Sequence, residues 1–203
     1  MSDFPTAANI TLGILAGGRA VRLGGRDKAW LQHEGQPQVL RWRDRFANEV
    51  SAIVVSANRD LPRYAAAELE VVTDEASADL GPIAGLAALA AASRTPWLLT
   101  IPVDVLSVDG SLLPMLVAGI GVDGAYARDD DGVQPLVALW RVAAMRSTIS
   151  AAIASGDTAV HSLQRRLHMA PVRFEGVRFG NLNTPEDLAN AGIPMTHEAM
   201  RPK

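Results

Sequence analysis

The spacing of apolar residues along this chain switches repeatedly between strand-like runs and helical faces. Residues 10–15 form an apolar run that reads as a buried strand. After a glycine-rich stretch, Pro37 opens a segment whose Val39, Leu40, Trp42, Phe46, Ala47 and Val50 fall on one helical face. A β-branched run at 52–55 predicts a second strand, a helix follows over 61–69, and a third strand over 70–73 ends at Asp74. A loop at 76–81 leads into a helix of small residues over 83–92. The most hydrophobic strand, 97–101, runs out into Pro102-Val103-Asp104. Beyond it the pattern predicts a helix over 109–116 capped by Asp109 or Ser111, then strands over 124–128 and 135–140 around an Asp129-Asp130-Asp131-Gly132 turn. Helices over 143–154 and 158–167, short strands at 172–174 and 177–179, and a last helix with Thr184 as N-cap and Pro185 at its first position complete the chain.

This alternation of β and α elements predicts an α/β fold, a mostly parallel central sheet with helices on both faces, hence three layers. Ligands of such sheets bind beyond the carboxyl ends of the strands. The glycine loop, Ser56, Asn58, Asp74 and Asp104 all fall at such ends and are expected on one rim. Trp42, Trp97 and Trp140 sit in apolar patterns and are expected in the core, and the acidic trio at 129–131 as a solvated turn. His33, His161, His168 and His197 show no metal-ligand spacing and are read as surface or packing residues.

Composition narrows the picture. At 203 residues the chain is expected to form one domain over 10–193, with flexible ends at 1–9 and 194–203. A net charge of −3 argues against a general nucleic-acid binder, and the absence of cysteine removes disulfides, thiolate metal sites and cysteine nucleophiles. No apolar stretch approaches the ~20 residues a transmembrane helix needs. Residues 1–9 lack the pattern of a signal peptide, so a soluble cytoplasmic protein is expected, with no membrane partner.

The candidate chemistry centres on residues 15–28, where Gly17, Gly18, Gly24 and Gly25 are interleaved with Arg19, Arg22, Arg26 and Lys28. Strand, glycine-rich loop and cations together suit a polyphosphate, cradled by backbone N–H groups and neutralised by side chains. Neither the Walker loop nor the dinucleotide fingerprint fits, because Ala29 follows Lys28 and the glycine spacing differs. Asp104, at the mouth of a buried strand, is placed to bind Mg2+, a hard cation that takes one or two carboxylates plus phosphate oxygens and water; a helix-capping or loop role is the alternative. Lys28 and Arg22 are suited to offset charge that builds on phosphorus during a displacement. Asp74 has the acceptors to bind either the N1–H and N2 amino group of guanine or ribose hydroxyls. Ser56 and Asn58 suit base contacts or a turn, and Gly81-Pro82-Ile83-Ala84-Gly85 suits backbone approach to a base or close packing at a helix start.

Taken together, Leu15-Ala16-Gly17-Gly18, Arg22-Leu23-Gly24-Gly25, Asp27-Lys28, Gly81-Pro82-Ile83-Ala84-Gly85, Pro102-Val103-Asp104 and Asn181-Leu182-Asn183-Thr184-Pro185-Glu186-Asp187 resemble the molybdenum cofactor guanylyltransferase (MobA) family, in the same order from residue 10 to about 191. The resemblance implies a Rossmann-like nucleotidyltransferase fold. It also implies transfer of GMP from GTP to molybdenum-bound molybdopterin, with release of pyrophosphate. By position, Leu15, Ala16, Gly17, Gly18, Gly81 and Gly85 would bind GTP with Ser56, Asp74 and Asp104, and Lys28 would lie on the phosphates. Lys28, Arg22 and Asp104 would carry catalysis, Asp104 would hold Mg2+, and Asn181 and Asn183 would face molybdopterin. Molybdopterin-supplying proteins and apo-molybdoenzymes would be transient partners. The chain departs from the family pattern at Ser56, where asparagine is common, at Leu106, where proline is usual, and at Val103, where cysteine is more common. The alternatives are a molybdopterin cytidylyltransferase or other nucleotidyltransferase, and a non-catalytic carrier of nucleotide or molybdopterin.

Overall fold

The computed structural model describes residues 4–17, 27–74 and 80–193. Most of the glycine loop, including Gly18, Arg19, Arg22 and Arg26, lies outside these residues, as do the 75–79 loop and the 194–203 tail with His197. A seven-stranded sheet runs in the order β5-β4-β1-β6-β8-β7-β9. Its strands are β1 (Ile10–Leu15), β4 (Ala52–Ser56), β5 (Glu70–Val72), β6 (Trp97–Pro102), β7 (Gly124–Asp129), β8 (Gly132–Arg141) and β9 (Ala170–Arg173). β1 pairs in parallel with β4 and β6, β4 with β5, and β7 with β9, whereas β8 is antiparallel to both of its neighbours. A small hairpin of β2 (Gln32–His33) and β3 (Gln36–Pro37), turned by Glu34 and Gly35 at positive φ, stands apart.

Helices cover both faces. Ile10, Leu12 and Ile14 of β1 join Trp97, Leu99 and Ile101 of β6 in a cluster with Trp42 and Phe46 of α1 (Gln38–Phe46), Tyr64 of α2 (Leu61–Ala66) and Leu116 of α4 (Leu112–Ala118). On the other face Leu98 and Trp140 pack with Leu86 and Leu89 of α3 (Pro82–Ala92), Met145 and Ile149 of α5 (Val142–Ser155) and Leu163 of α6 (Val160–Arg166). The expected three-layer, mostly parallel α/β architecture is therefore present, and the three tryptophans expected in the core are buried. Gly13 explains how closely α3 seats: a Cβ there would stand 2.9 Å from Leu89 Cδ1.

Three expectations fail, and two of the failures involve Asp129. Residues 177–179 add no strand to the sheet, because their polar backbone groups pair elsewhere: Val177 O accepts from Asp130 N at 2.9 Å, and Phe179 N donates to Asp129 Oδ2 at 2.9 Å. Asp129 itself is fully buried rather than solvated. Its Oδ1 accepts from Asp131 N and Gly132 N, both at 3.0 Å, and from Gln134 Nε2 at 3.2 Å. Asp130 and Asp131 behave as surface acids, paired with Arg173 and Arg178. The predicted helix at 109 begins only at Leu112, because Asp109 Oδ1 takes both Ser111 N and Ser111 Oγ and turns the chain first.

Burial pushes the Asp129 carboxyl up, but hydrogen bonds from Phe179, Gln134, Asp131 and Gly132 outweigh it and hold the group below its usual value. A depressed folded-state value adds stability that is present above the unfolded Asp range and lost as pH falls through the folded value. Asp129→Asn should lower stability at neutral pH by about 1–3 kcal/mol and flatten the acid limb of Tm against pH, measured by calorimetry. Thr100 gives a second expectation, because its Oγ1 accepts from Trp140 Nε1 at 2.7 Å and donates to Leu136 O at 2.8 Å. Thr100→Val should cost about 2 kcal/mol in urea unfolding, since the indole N–H loses its buried partner.

Candidate active site

The strand order places β1 between β4, from which the chain moves outward to β5, and β6, to which it returns. Loops leaving neighbouring strands in opposite directions leave a crevice at their carboxyl ends. There a cleft of about 740 Å³ is lined by Leu15, Ala16 and Gly17 after β1, Ser56 and Asn58 after β4, and Asp74 after β5. Gly81 and Gly85 close it from α3, and Pro102, Val103 and Asp104 from β6. Ladder-like hydrogen bonds continue past the strand ends and fix these loops to one another: Ala16 N to Ser56 O at 2.9 Å, Ala57 N to Val72 O at 3.0 Å, and Val103 N to Leu15 O at 2.9 Å.

One wall is polar and closely packed. Asn58 and Asp74 are paired reciprocally, Asn58 Nδ2 donating to Asp74 Oδ1 and Asp74 N donating to Asn58 Oδ1 at 3.0 Å, which sets the carboxylate's orientation. The Ser56 hydroxyl is buried with no hydrogen-bond partner among the described residues. A Cβ at Gly85 would stand 3.1 Å from Ser56 Oγ, 3.3 Å from Asp74 Oδ2 and 2.9 Å from Leu15 Cδ2, so glycine keeps this corner of the cleft open. Gly81 precedes α3 at φ 63 and ψ −145, a conformation that requires glycine.

The opposite wall is built around Lys28. A 3-10 turn, Lys28–Trp30, is capped by Asp27, whose Oδ1 accepts from Ala29 N at 2.9 Å and whose Oδ2 accepts from Tyr64 OH at 3.1 Å. Burial pushes the Asp27 carboxyl up, with those hydrogen bonds opposing it, and burial together with Asp27 pushes the Tyr64 phenol up. Trp30 packs against the Tyr64 ring at 4.9 Å, and the Arg63 guanidinium lies 4.2 Å from the Trp30 ring centre, so α2 holds the turn. Lys28 Nζ then donates to Asp104 Oδ2 at 2.9 Å and to Asn183 Oδ1 at 2.6 Å.

That second contact joins the cleft to a distant part of the chain. Leu31, just past the Lys28 turn, is buried with Leu182, with Leu188 of α7 (Pro185–Asn190) and with Ile193, which draws the exposed Asn183 to Lys28. Thr184 caps α7 as the sequence predicted, accepting from Asp187 N at 3.1 Å, while Asp187 Oδ2 accepts from Asn183 N at 3.0 Å and Thr184 N at 2.8 Å. Hydrogen bonds from Thr184 and from the Asn183 amide hold the Asp187 carboxyl below its usual range.

Among the sequence-predicted residues, Leu15, Ala16, Gly17, Lys28, Ser56, Asp74, Gly81, Gly85 and Asp104 thus share the cleft. Asn183 meets it through Lys28. Asn181 pairs through its backbone with Val105 beside Asp104. Gly18 and Arg22 lie outside the described residues. Sequence reasoning missed Tyr64, read only as part of a helix, and Leu136, which lines the cleft from β8. Leu136 reaches it because β8 leaves register: Tyr126 faces Ala138 but Ala127 faces Gln134. Thr100 Oγ1 and Gln164 Nε2 bond the freed carbonyls of Leu136 and Pro135, each at 2.8 Å. Pro135, which brings no N–H to a central strand, is the local signal that could have marked that irregularity.

Comparison with known proteins agrees with this geometry. The profile of the MobA-like NTP transferase domain matches residues 12–171. A molybdenum cofactor guanylyltransferase of Shewanella putrefaciens is 32% identical over 188 residues, covering 90% of this chain and 96% of that protein. One from Yersinia pestis is 34% identical over 182 residues, covering 88% and 93%. The crystal structure of molybdopterin-guanine dinucleotide biosynthesis protein A from Archaeoglobus fulgidus shares the fold, with a TM-score of 0.65 at 21% identity over 89% of this chain and 96% of that one. With the profile running from β1 into β9 and relatives aligned almost end to end, the chain belongs to the MobA-like NTP transferase family.

Proposed function

We propose that the protein transfers GMP from GTP to molybdenum-bound molybdopterin, forming the guanine dinucleotide cofactor and pyrophosphate. The observation that carries this is the Asp104–Lys28–Asn183 link, where the rim suited to a nucleotide meets the Asn-Leu-Asn segment. The names of the Shewanella and Yersinia relatives support the choice of substrates.

GTP occupies the cleft with its base toward Asp74, Gly85 and Ser56. The Asp74 carboxylate, oriented by Asn58, accepts either from the guanine edge or from ribose hydroxyls. Backbone at Leu15, Ala16, Gly17 and Gly18 and the start of α3 at Gly81 flank the nucleotide. Lys28 and Arg22 lie on the phosphates, and Asn181 and Asn183 face molybdopterin. The reaction is an in-line displacement: a terminal phosphate oxygen of molybdopterin bonds to the α-phosphorus of GTP as the bond to the β-phosphate bridging oxygen breaks. The attacking phosphate is already ionised, so no general base is needed. Positioning and electrostatic stabilisation carry the rate.

The donor set also fits Mg2+. Asp104 is a lone carboxylate at a strand mouth, and no cluster of three or more metal-ligating side chains occurs among the described residues. Mg2+ takes one or two carboxylates and fills its shell with substrate phosphate and water. Bound at Asp104, it would neutralise charge on the reacting phosphates. Lys28 keeps the carboxylate in place and offsets charge on the departing pyrophosphate. The reaction belongs in the cytoplasm, with molybdopterin-supplying proteins and apo-molybdoenzymes as transient partners; no helix among the described residues is long and apolar enough to cross a membrane.

Pyrophosphate release by the purified protein with Mg2+ and molybdenum-loaded molybdopterin should occur with GTP and not with CTP or ATP. Release with CTP would make it a cytidylyltransferase, and GTP binding without release would make it a carrier. Asp104→Asn and Lys28→Ala should each lower kcat by about 10²–10³-fold, with Tm close to that of the parent protein. Gly85→Ala should raise KM for GTP about tenfold, because the new methyl displaces Asp74 or Leu15.

A further inference from the structure

Residues 104–107 and 179–183 lie against each other as a short antiparallel clasp beside the cleft. Val105 and Asn181 form a bridge. On either side of it Leu182 N donates to Asp104 O at 2.8 Å, Leu106 N to Gly180 O at 3.3 Å, and Ser107 N to Phe179 O at 3.0 Å. At one end the clasp is tied by Lys28 and Asp187 to Asn183. At the other it is tied to the β7–β8 turn, where Asp129 Oδ2 takes the buried Phe179 amide at 2.9 Å.

Asp129 holds that second end in a way few residues could. A buried carboxylate is costly unless its lone pairs are satisfied. Here four donors from two segments satisfy them, three within the turn on Oδ1 and one from the clasp on Oδ2. An asparagine could serve the turn through its oxygen, but its NH2 group would then face the Phe179 N–H, donor against donor. Ring contact between Phe174 and Phe179 at 5.4 Å keeps Phe179 under the turn without specifying register. The backbone bond to Asp129 does specify it. A slip of one residue moves the segment by about 3.3 Å and turns each side chain to the other side, which would take Asn183 away from Lys28 and bring Leu182 out of its apolar cluster.

We propose that Asp129 is a positioning residue for the second substrate: by accepting the Phe179 amide it sets the register of residues 179–183, and so the place of Asn181 and Asn183 beside Asp104 and Lys28. The proposal rests on the reading that these asparagines face molybdopterin. The wall of the cleft assigned to guanosine is carried by β1, β4, β5 and α3, away from the clasp, so the two substrates should respond differently.

The test compares Asp129→Asn with Gly180→Ala by steady-state kinetics in both substrates and by hydrogen exchange of the backbone amides. Gly180 lies within the clasp at φ 62, and a Cβ there would stand 3.2 Å from Leu106 Cβ, so its replacement loosens the same segment while Asp129 stays intact. Both variants should raise KM for molybdopterin about tenfold or more, leave KM for GTP within about twofold, and speed exchange at Phe179 and Leu182 while β1 and β6 stay protected. If Asp129→Asn does not fold, Asp129→Glu, which keeps the charge but displaces its oxygens from the Phe179 amide, replaces it in the comparison and is read by the same measures. Faster exchange with an unchanged KM for molybdopterin, or an equal loss for both substrates, overturns the proposal. Asn183→Ala separates the two levels: should it leave KM for molybdopterin unchanged, the substrate assignment of the segment fails, and the proposal with it.

Discussion

The pairing of β1 with β4 on one side and β6 on the other is the constraint on which this structure depends. After β4 the chain goes outward to β5, and it must then cross back over β1 to lay down β6. The loops at the carboxyl ends diverge there, and a cleft opens without any helix having to be displaced. Gly13 in the middle of β1 lets α3 settle close to the strand, which brings Gly81 and Gly85 to the cleft's edge. A larger residue at Gly85 would close the space that the strand order creates, whereas Gly81 is required by its backbone conformation.

On this scaffold Lys28 joins the two halves of the candidate site. Lys28 engages Asp104 and Asn183 with two of its three donors, and its turn is held by Asp27, Tyr64, Trp30 and Leu31. The Lys28 and Asp104 side chains are 19% and 24% exposed, so desolvation offsets much of the pair's attraction and its main effect is to set geometry. Preorganised charges matter most where water is partly excluded and where they need not move during reaction. The neighbouring polar pair, Asn58 with Asp74, follows the same logic on the far wall.

The clasp extends this economy to the second half of the site. Its backbone bonds link the loop after β6 to the segment before α7, and its two ends are held by carboxylates, Asp129 with four donors and Asp187 with two backbone amides on Oδ2, each pushed below the usual carboxylate range. Acids held in this way as carboxylates are poor candidates for proton transfer. Their value lies in fixing where backbone runs.

Much of this was legible from residue order. Periodicity is local, and in a parallel sheet every strand delivers its carboxyl end to the same rim, so Leu15, Ser56, Asp74 and Asp104 could be placed together before any contact was known. Thr184 with Pro185 announced the start of α7 for the same local reason. Partner choice is not local. Lys28 meets Asp104 across 76 residues and Asn183 across 155 because packing of Leu31 on Leu182 and Leu188 brings those turns together. Asp129 looks like one of three solvated acids until Phe179 presents its amide. Leu136 enters the cleft only because β8 slips register against β7, with Thr100 and Gln164 supplying donors from elsewhere. Hydrophobic pattern sets which residues lie at the strand ends; burial of polar groups, which must each find a partner in three dimensions, sets which of them touch.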